Sequence, residues 1–174
     1  EDQNLDTLFV HEPHVFVATI CQKGHIFAPD LAYTVLDSSK SYIHLHSDSK
    51  LLPPEQTSIS YRELLKLPLI LVDNGSKITQ EFTLKLYEEL QSYGQPNTKF
   101  LLPDMHIAAN YILSDLGVCF YCDFPLMTKE LSSNTLIRKV LIKNAPHFDI
   151  VLLYKKEHEP THLQGVLELI DSIR

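Results

Sequence analysis

What this chain lacks narrows its function first. Its 15 Lys and Arg are outnumbered by 22 Asp and Glu, for a net charge of −7, and the cations are scattered along the sequence. A phosphate-binding face needs clustered Lys and Arg, so nucleic-acid binding within these residues is not expected. No stretch of about 18 apolar residues and no basic-then-apolar leader is present, so neither a membrane span nor a membrane partner is expected. The three cysteines, Cys21, Cys119 and Cys122, make no even disulfide framework and fit a reducing, cytoplasmic setting. Neither GxxxxGK(S/T) nor GxGxxG occurs, which removes the two commonest nucleotide cradles, and no cofactor is called for. The nine histidines are dispersed, and none lies beside a Ser or Cys in a nucleophile-elbow pattern. Asp104 and Asp115 read as residues at the start and end of a helix and make no acid/base pair.

What is there reads as an α/β protein. Over 174 residues, with 44% hydrophobic and 21% charged, the chain can bury roughly 70% of its unfolded surface as one domain or two small lobes. Leu5, Leu8 and Phe9 predict a short amphipathic helix, and His14–Cys21 predicts a buried parallel strand. Ser41–His46 alternates as a half-exposed strand, Asp48–Ser58 is a polar loop, and Ser60 with Glu63 makes a capping box for a short helix. Pro68–Val72 is an apolar strand, followed by a helix from about Ile78 to Tyr93 with Phe82, Leu86, Leu90 and Tyr93 on one stripe and Gly94 as its stop. Thr98–Leu102 predicts a strand. Asp104 then caps a helix that stops at Gly117, and the strand Val118–Cys122 follows at once. A weak helix near Pro125–Leu131, strands Leu136–Ile142 and Phe148–Tyr154, and a final helix after Pro160 complete the order. Strands alternating with helices predict mostly parallel sheets. Two helix-free connections, near Leu36–Ser41 and Ile142–Phe148, are the places where a chain could cross between lobes. The expected organisation is 1–37 plus 147–174 as one lobe and 38–146 as the other, with a ligand cleft between them.

Each candidate for chemistry has a plain alternative. Cys119 and Cys122 match CxxC, but in a strand residues three apart point to opposite faces, so the two thiols do not converge on a metal and read as core residues. His44 and His46 share a strand face at a spacing that can hold a metal. Only Asp48 continues that face, and a half-exposed polar face is the simpler reading. Asp73, Asn74, Gly75 and Ser76, between a strand and a helix, place backbone donors at a helix start, where anions are favoured. A plain N-cap loop has the same appearance, and Asp73 argues against a carboxylate directly beside it.

PLILVDNGSK, NYILSDLGVCFYCDFP and HFDIVLLYKKE, spaced about thirty residues apart, together resemble the effector-binding domain of LysR-type transcriptional regulators. NLDTLFVHEPHVFVATIC resembles that domain's helix and strand before the crossover, and HFDIVLLYKKEHEPTHLQGVLELIDSIR its closing strand and helix. The resemblance runs over nearly the whole chain and departs at Asp115, which holds the first of two glycine positions usual around the helix end. It implies a two-lobe fold like that of type II periplasmic binding proteins, with no enzymatic activity. A small-molecule effector would bind between the lobes, and binding would modulate a separate N-terminal helix-turn-helix that alone contacts DNA. By position it implies ligand contacts from Thr19, Asp73, Asn74, Gly75, Ser76, Met105 and Phe148, no metal, and a neutral or zwitterionic ligand. It implies pairing as a homodimer or tetramer. Neither the DNA-binding domain nor the effector domain's first strand–helix–strand has a counterpart in the sequence, so the first lobe is expected to be short of core. The alternatives are a solute-binding protein of a transport system, which shares the two-lobe fold, and an enzyme on the same architecture. The enzyme would need convergent Arg or Lys, or a nucleophile, in the cleft.

Overall fold

In the computed structural model the described residues are 16–73, 75, 77–122, 134–158 and 162–173. The expected helix near Leu5–Phe9 and the one near Pro125–Leu131 lie outside them. The chain divides into two compact units: one ends at Ser38 and resumes at Phe148, and the other is Ser39–His147.

The first unit holds a three-stranded sheet built from β1 (Val17–Gln22), β2 (Leu31–Ser39) and β9 (Phe148–Lys155), in the order β1-β9-β2. β1 runs antiparallel to β9, with Val17 opposite Leu153 and Gln22 opposite Phe148. β2 is antiparallel to β9 as well: the Asp30 carbonyl accepts from the Lys156 N–H at one end, and Ser38 Oγ donates to Asp149 at the other. Leu31, Val151 and Leu153 form the buried centre of one face, joined by Val17, Cys21, Phe27 and Ala28. Two expectations for β1 therefore change. It is antiparallel, because the chain returns through β9 beside it, and it is half-buried, because no residue of the strand is fully covered. The last helix, Leu163–Ile173, buries Leu163 and half-buries Val166, Leu167 and Ile170, leaving Leu169 exposed.

The second unit carries a six-stranded mixed sheet. Its strands are β3 (Ser41–His46), β4 (Ser58–Ile59), β5 (Leu69–Val72), β6 (Thr98–Leu102), β7 (Val118–Cys122) and β8 (Ile137–Ile142), in the order β4-β8-β3-β7-β5-β6. The block β7-β5-β6 is parallel, as the sequence pattern leads one to expect, whereas β3 runs antiparallel to both its neighbours. Short α1 (Tyr61–Leu64) has the expected capping box, with the Glu63 N–H donating to Ser60 Oγ and the Ser60 N–H donating to Glu63. Helix α2 (Lys77–Tyr93) buries Phe82, Leu86 and Leu90, one residue per turn on a single stripe. Tyr93 leaves that stripe and stacks on Tyr61, whose hydroxyl donates to Glu89. Burial and the Glu89 carboxylate push the Tyr61 hydroxyl's pKa up.

Helix α3 (Met105–Leu113) ends earlier than Gly117. Asp115 adopts φ +53°, its N–H bonding the Ile112 carbonyl and the Leu116 N–H reaching the Tyr111 carbonyl. These two bonds are the Schellman pair, so an aspartate occupies the left-handed position that glycine usually fills. Gly117 has a different task. A Cβ there would lie 2.6 Å from the Pro68 carbonyl oxygen, which itself accepts the Val118 N–H. The glycine lets the chain pass close over the start of β5 and enter β7 in register.

Candidate functional site

Connections β5–α2–β6 and β6–α3–β7 cross the sheet in opposite directions, because β7 and β6 flank β5 on either side. Right-handed crossovers then put α2 and α3 on opposite faces. Adjacent strands whose carboxyl ends lead to helices on opposite faces make a switch point, where open α/β sheets bind ligands. β5 and β6 are such a pair, and both helix starts stand at their common edge.

The edge is built from local bonds. The Asp73 N–H donates to the Leu102 carbonyl at 2.9 Å, which carries the β5/β6 ladder one residue past Val72. The Gly75 N–H donates to Asp73 Oδ1 at 3.0 Å, closing a turn in which Gly75 sits at φ +73° with nothing within 4 Å of a Cβ placed on it. Asp73 and Gly75 are both exposed, and α2 begins at Lys77. One step away, the Ile107 N–H donates to Asp104 Oδ1 at 2.8 Å, capping α3. Met105, the first residue of α3, is half-buried against Ile70, Val72, Leu102, Ala108, Ile112 and Cys119. Asp73, Gly75 and Met105 thus come from one strand edge of one unit. Asn74 and Ser76 lie outside the described residues.

Asp104 was read from the sequence only as a cap. Its wider position shows once β6 is seen to be parallel to β5, since that direction brings the second helix start to the first. The only sequence signal is the two-residue spacing from Leu102 to Asp104.

Thr19 and Phe148 belong to the other unit, and its sheet separates them. Thr19 is not at a strand end: it is the third residue of β1, half-buried and opposite Val151, while Phe148 opens β9 opposite Gln22. Alternation puts Thr19 and Phe148 on opposite faces. Phe148 is almost completely buried at 2% exposure.

The metal candidates resolve from the pairing register. In the β3/β7 register Cys119 stands opposite His44, and Cys122, three residues further along the strand, stands opposite Ser41. Burial pushes the Cys119 thiol pKa up to about 12, far from a reactive thiolate. His44 is buried, contrary to the half-exposed face expected of its strand, because β3 runs between β7 and β8 with α3 packed over it. His46 Nδ1 accepts the Asp48 N–H, and Asp48 sits in an exposed turn rather than continuing the strand. Among the described residues no three His, Cys, Asp or Glu side chains are grouped to hold a metal, and no helix is long and apolar enough to cross a membrane.

No family model matches the chain, and no curated protein matches it. Solved structures do. HinK, a LysR family transcriptional regulator from Pseudomonas aeruginosa, matches over 99% of this chain and 55% of its own, at 15% identity and TM-score 0.62. The BenM effector-binding domain with its effector benzoate matches over 98% of this chain and 74% of its own, at 14% identity and TM-score 0.66. The Synechocystis PCC6803 CcmR regulatory domain in complex with 2-PG matches over 98% of this chain and 78% of its own, at 13% identity and TM-score 0.67. The chain has the two-lobe α/β fold of LysR-family effector-binding domains. It spans just over half the length of the longer regulators of that family that it matches.

Proposed function

We propose that this chain is the effector-sensing domain of a LysR-type transcriptional regulator. It binds a small metabolite between its two lobes, catalyses no reaction, and modulates DNA binding by a separate helix-turn-helix domain in a cytoplasmic homodimer or tetramer. The observation that carries this reading is fold likeness over nearly the whole chain to regulatory domains that include BenM with its effector benzoate and CcmR in complex with 2-PG. The switch point at the carboxyl edge of β5 and β6 supports it from within the chain.

Asp73, Asn74, Gly75, Ser76 and Met105 supply one side of the site. Thr19 supplies a hydroxyl from the other unit. Phe148, buried on the opposite face of the same sheet, is the second candidate contact from that unit. Asp73 at the edge favours a neutral or zwitterionic ligand over a simple anion. Switching a two-state lobe arrangement from 1:99 to 99:1 requires about 5.5 kcal/mol of differential binding.

The test is a thermal-shift screen of amino acids, benzoate and small hydroxy acids. A compound present at ~100 times its dissociation constant adds about 2.7 kcal/mol of stability. Ser76→Ala and Thr19→Val should each weaken such a compound at least several-fold by titration calorimetry. Unchanged affinity in both variants would remove the site, and turnover of any compound by purified protein would overturn the reading as a sensor.

A further inference from the structure

We draw no further inference here: the strongest candidate, the exposed apolar strip of Tyr33 and Val35 on the outer strand β2 beside Phe27, is an unpartnered strand face, and nothing among the described residues shows what covers it.

Discussion

Replacing Gly117 by alanine should destabilise Ser39–His147 far more than a single methyl group ordinarily does. The added Cβ would stand 2.6 Å from the Pro68 carbonyl oxygen, 3.2 Å from Ile70 Cγ1 and 3.3 Å from the Pro68 carbonyl carbon. Two of these three atoms are backbone, and the oxygen is held by the Val118 N–H at 2.9 Å. It cannot retreat without stretching the bond that starts β7. Overpacking of this kind costs about 1–3 kcal/mol, and weakening one buried backbone bond adds roughly 1 kcal/mol. The expected loss is therefore about 2–4 kcal/mol, a fall in midpoint of roughly 5–15 °C for a chain of this size. Thermal and urea unfolding followed by circular dichroism would measure it. Gly165→Ala is the matched control: that glycine lies inside the last helix with nothing within 4 Å of a Cβ. The control should be stabilised by about 0.5–1 kcal/mol through helix propensity and reduced unfolded-chain entropy. A Gly117→Ala protein within 1 °C of the parent (roughly 0.3 kcal/mol), alongside a control that behaves, would refute the close-approach argument.

Three further outcomes are expected. Cys119 should resist iodoacetamide at pH 8 in the folded protein and react at the ordinary thiol rate in urea, since burial pushes its pKa up to about 12 from 9.0. Equal rates in the two conditions would show that the thiol is not enclosed as described. Ser60→Ala should cost about 1 kcal/mol by removing the Oγ that accepts the Glu63 N–H, while the Ser60 backbone N–H keeps its bond to the Glu63 carboxylate, and a loss below 0.3 kcal/mol would mean that Leu64 and Tyr61 packing and the remaining half of the box hold the helix. Asp30 is held below its ordinary pKa of 3.8, first by its hydrogen bond from Lys155 and then by its own backbone N–H. A depressed carboxyl stabilises above its unfolded value and loses that contribution as pH falls through the folded one. The difference between parent and Asp30→Asn should therefore shrink below pH 3.8 and in high salt, as unfolding midpoints across pH and NaCl would reveal. A difference independent of both would exclude the ion pair as its source.

The parts of this protein legible in its sequence are those decided within a turn or two of chain. Phe82, Leu86 and Leu90 recur at helical spacing and are buried under α2. Asp104 caps α3 and Ser60 caps α1, because a short acceptor side chain satisfies the first free N–H groups wherever the rest of the fold lies. The strand residues 98–102 and 118–122 stand where apolar runs meet turn residues. The loop 73–76 was also legible as a candidate, because strand, turn residues and helix follow one another without interruption. Direction and register were not. An apolar run such as that in β1 says that the strand wants cover, but a partner more than a hundred residues away in β9 determines that it is antiparallel and half-buried.

By itself, then, the sequence determined most of the helices and strands among the described residues, though not β2 or β4, together with the caps of α1 and α3 and the candidate loop after β5. These follow from side-chain periodicity and from backbone donors that must be satisfied locally. Only the tertiary structure decided that His44 is buried, that Thr19 and Phe148 face away from each other, and that Asp115 takes the left-handed turn while Gly117 clears the Pro68 carbonyl. It likewise decided that the starts of α2 and α3 share one edge. The physical reason is that alternation along a strand assigns residues to two faces without naming either face. Which face is covered, and what stands next to it, depends on contacts between segments far apart in the chain.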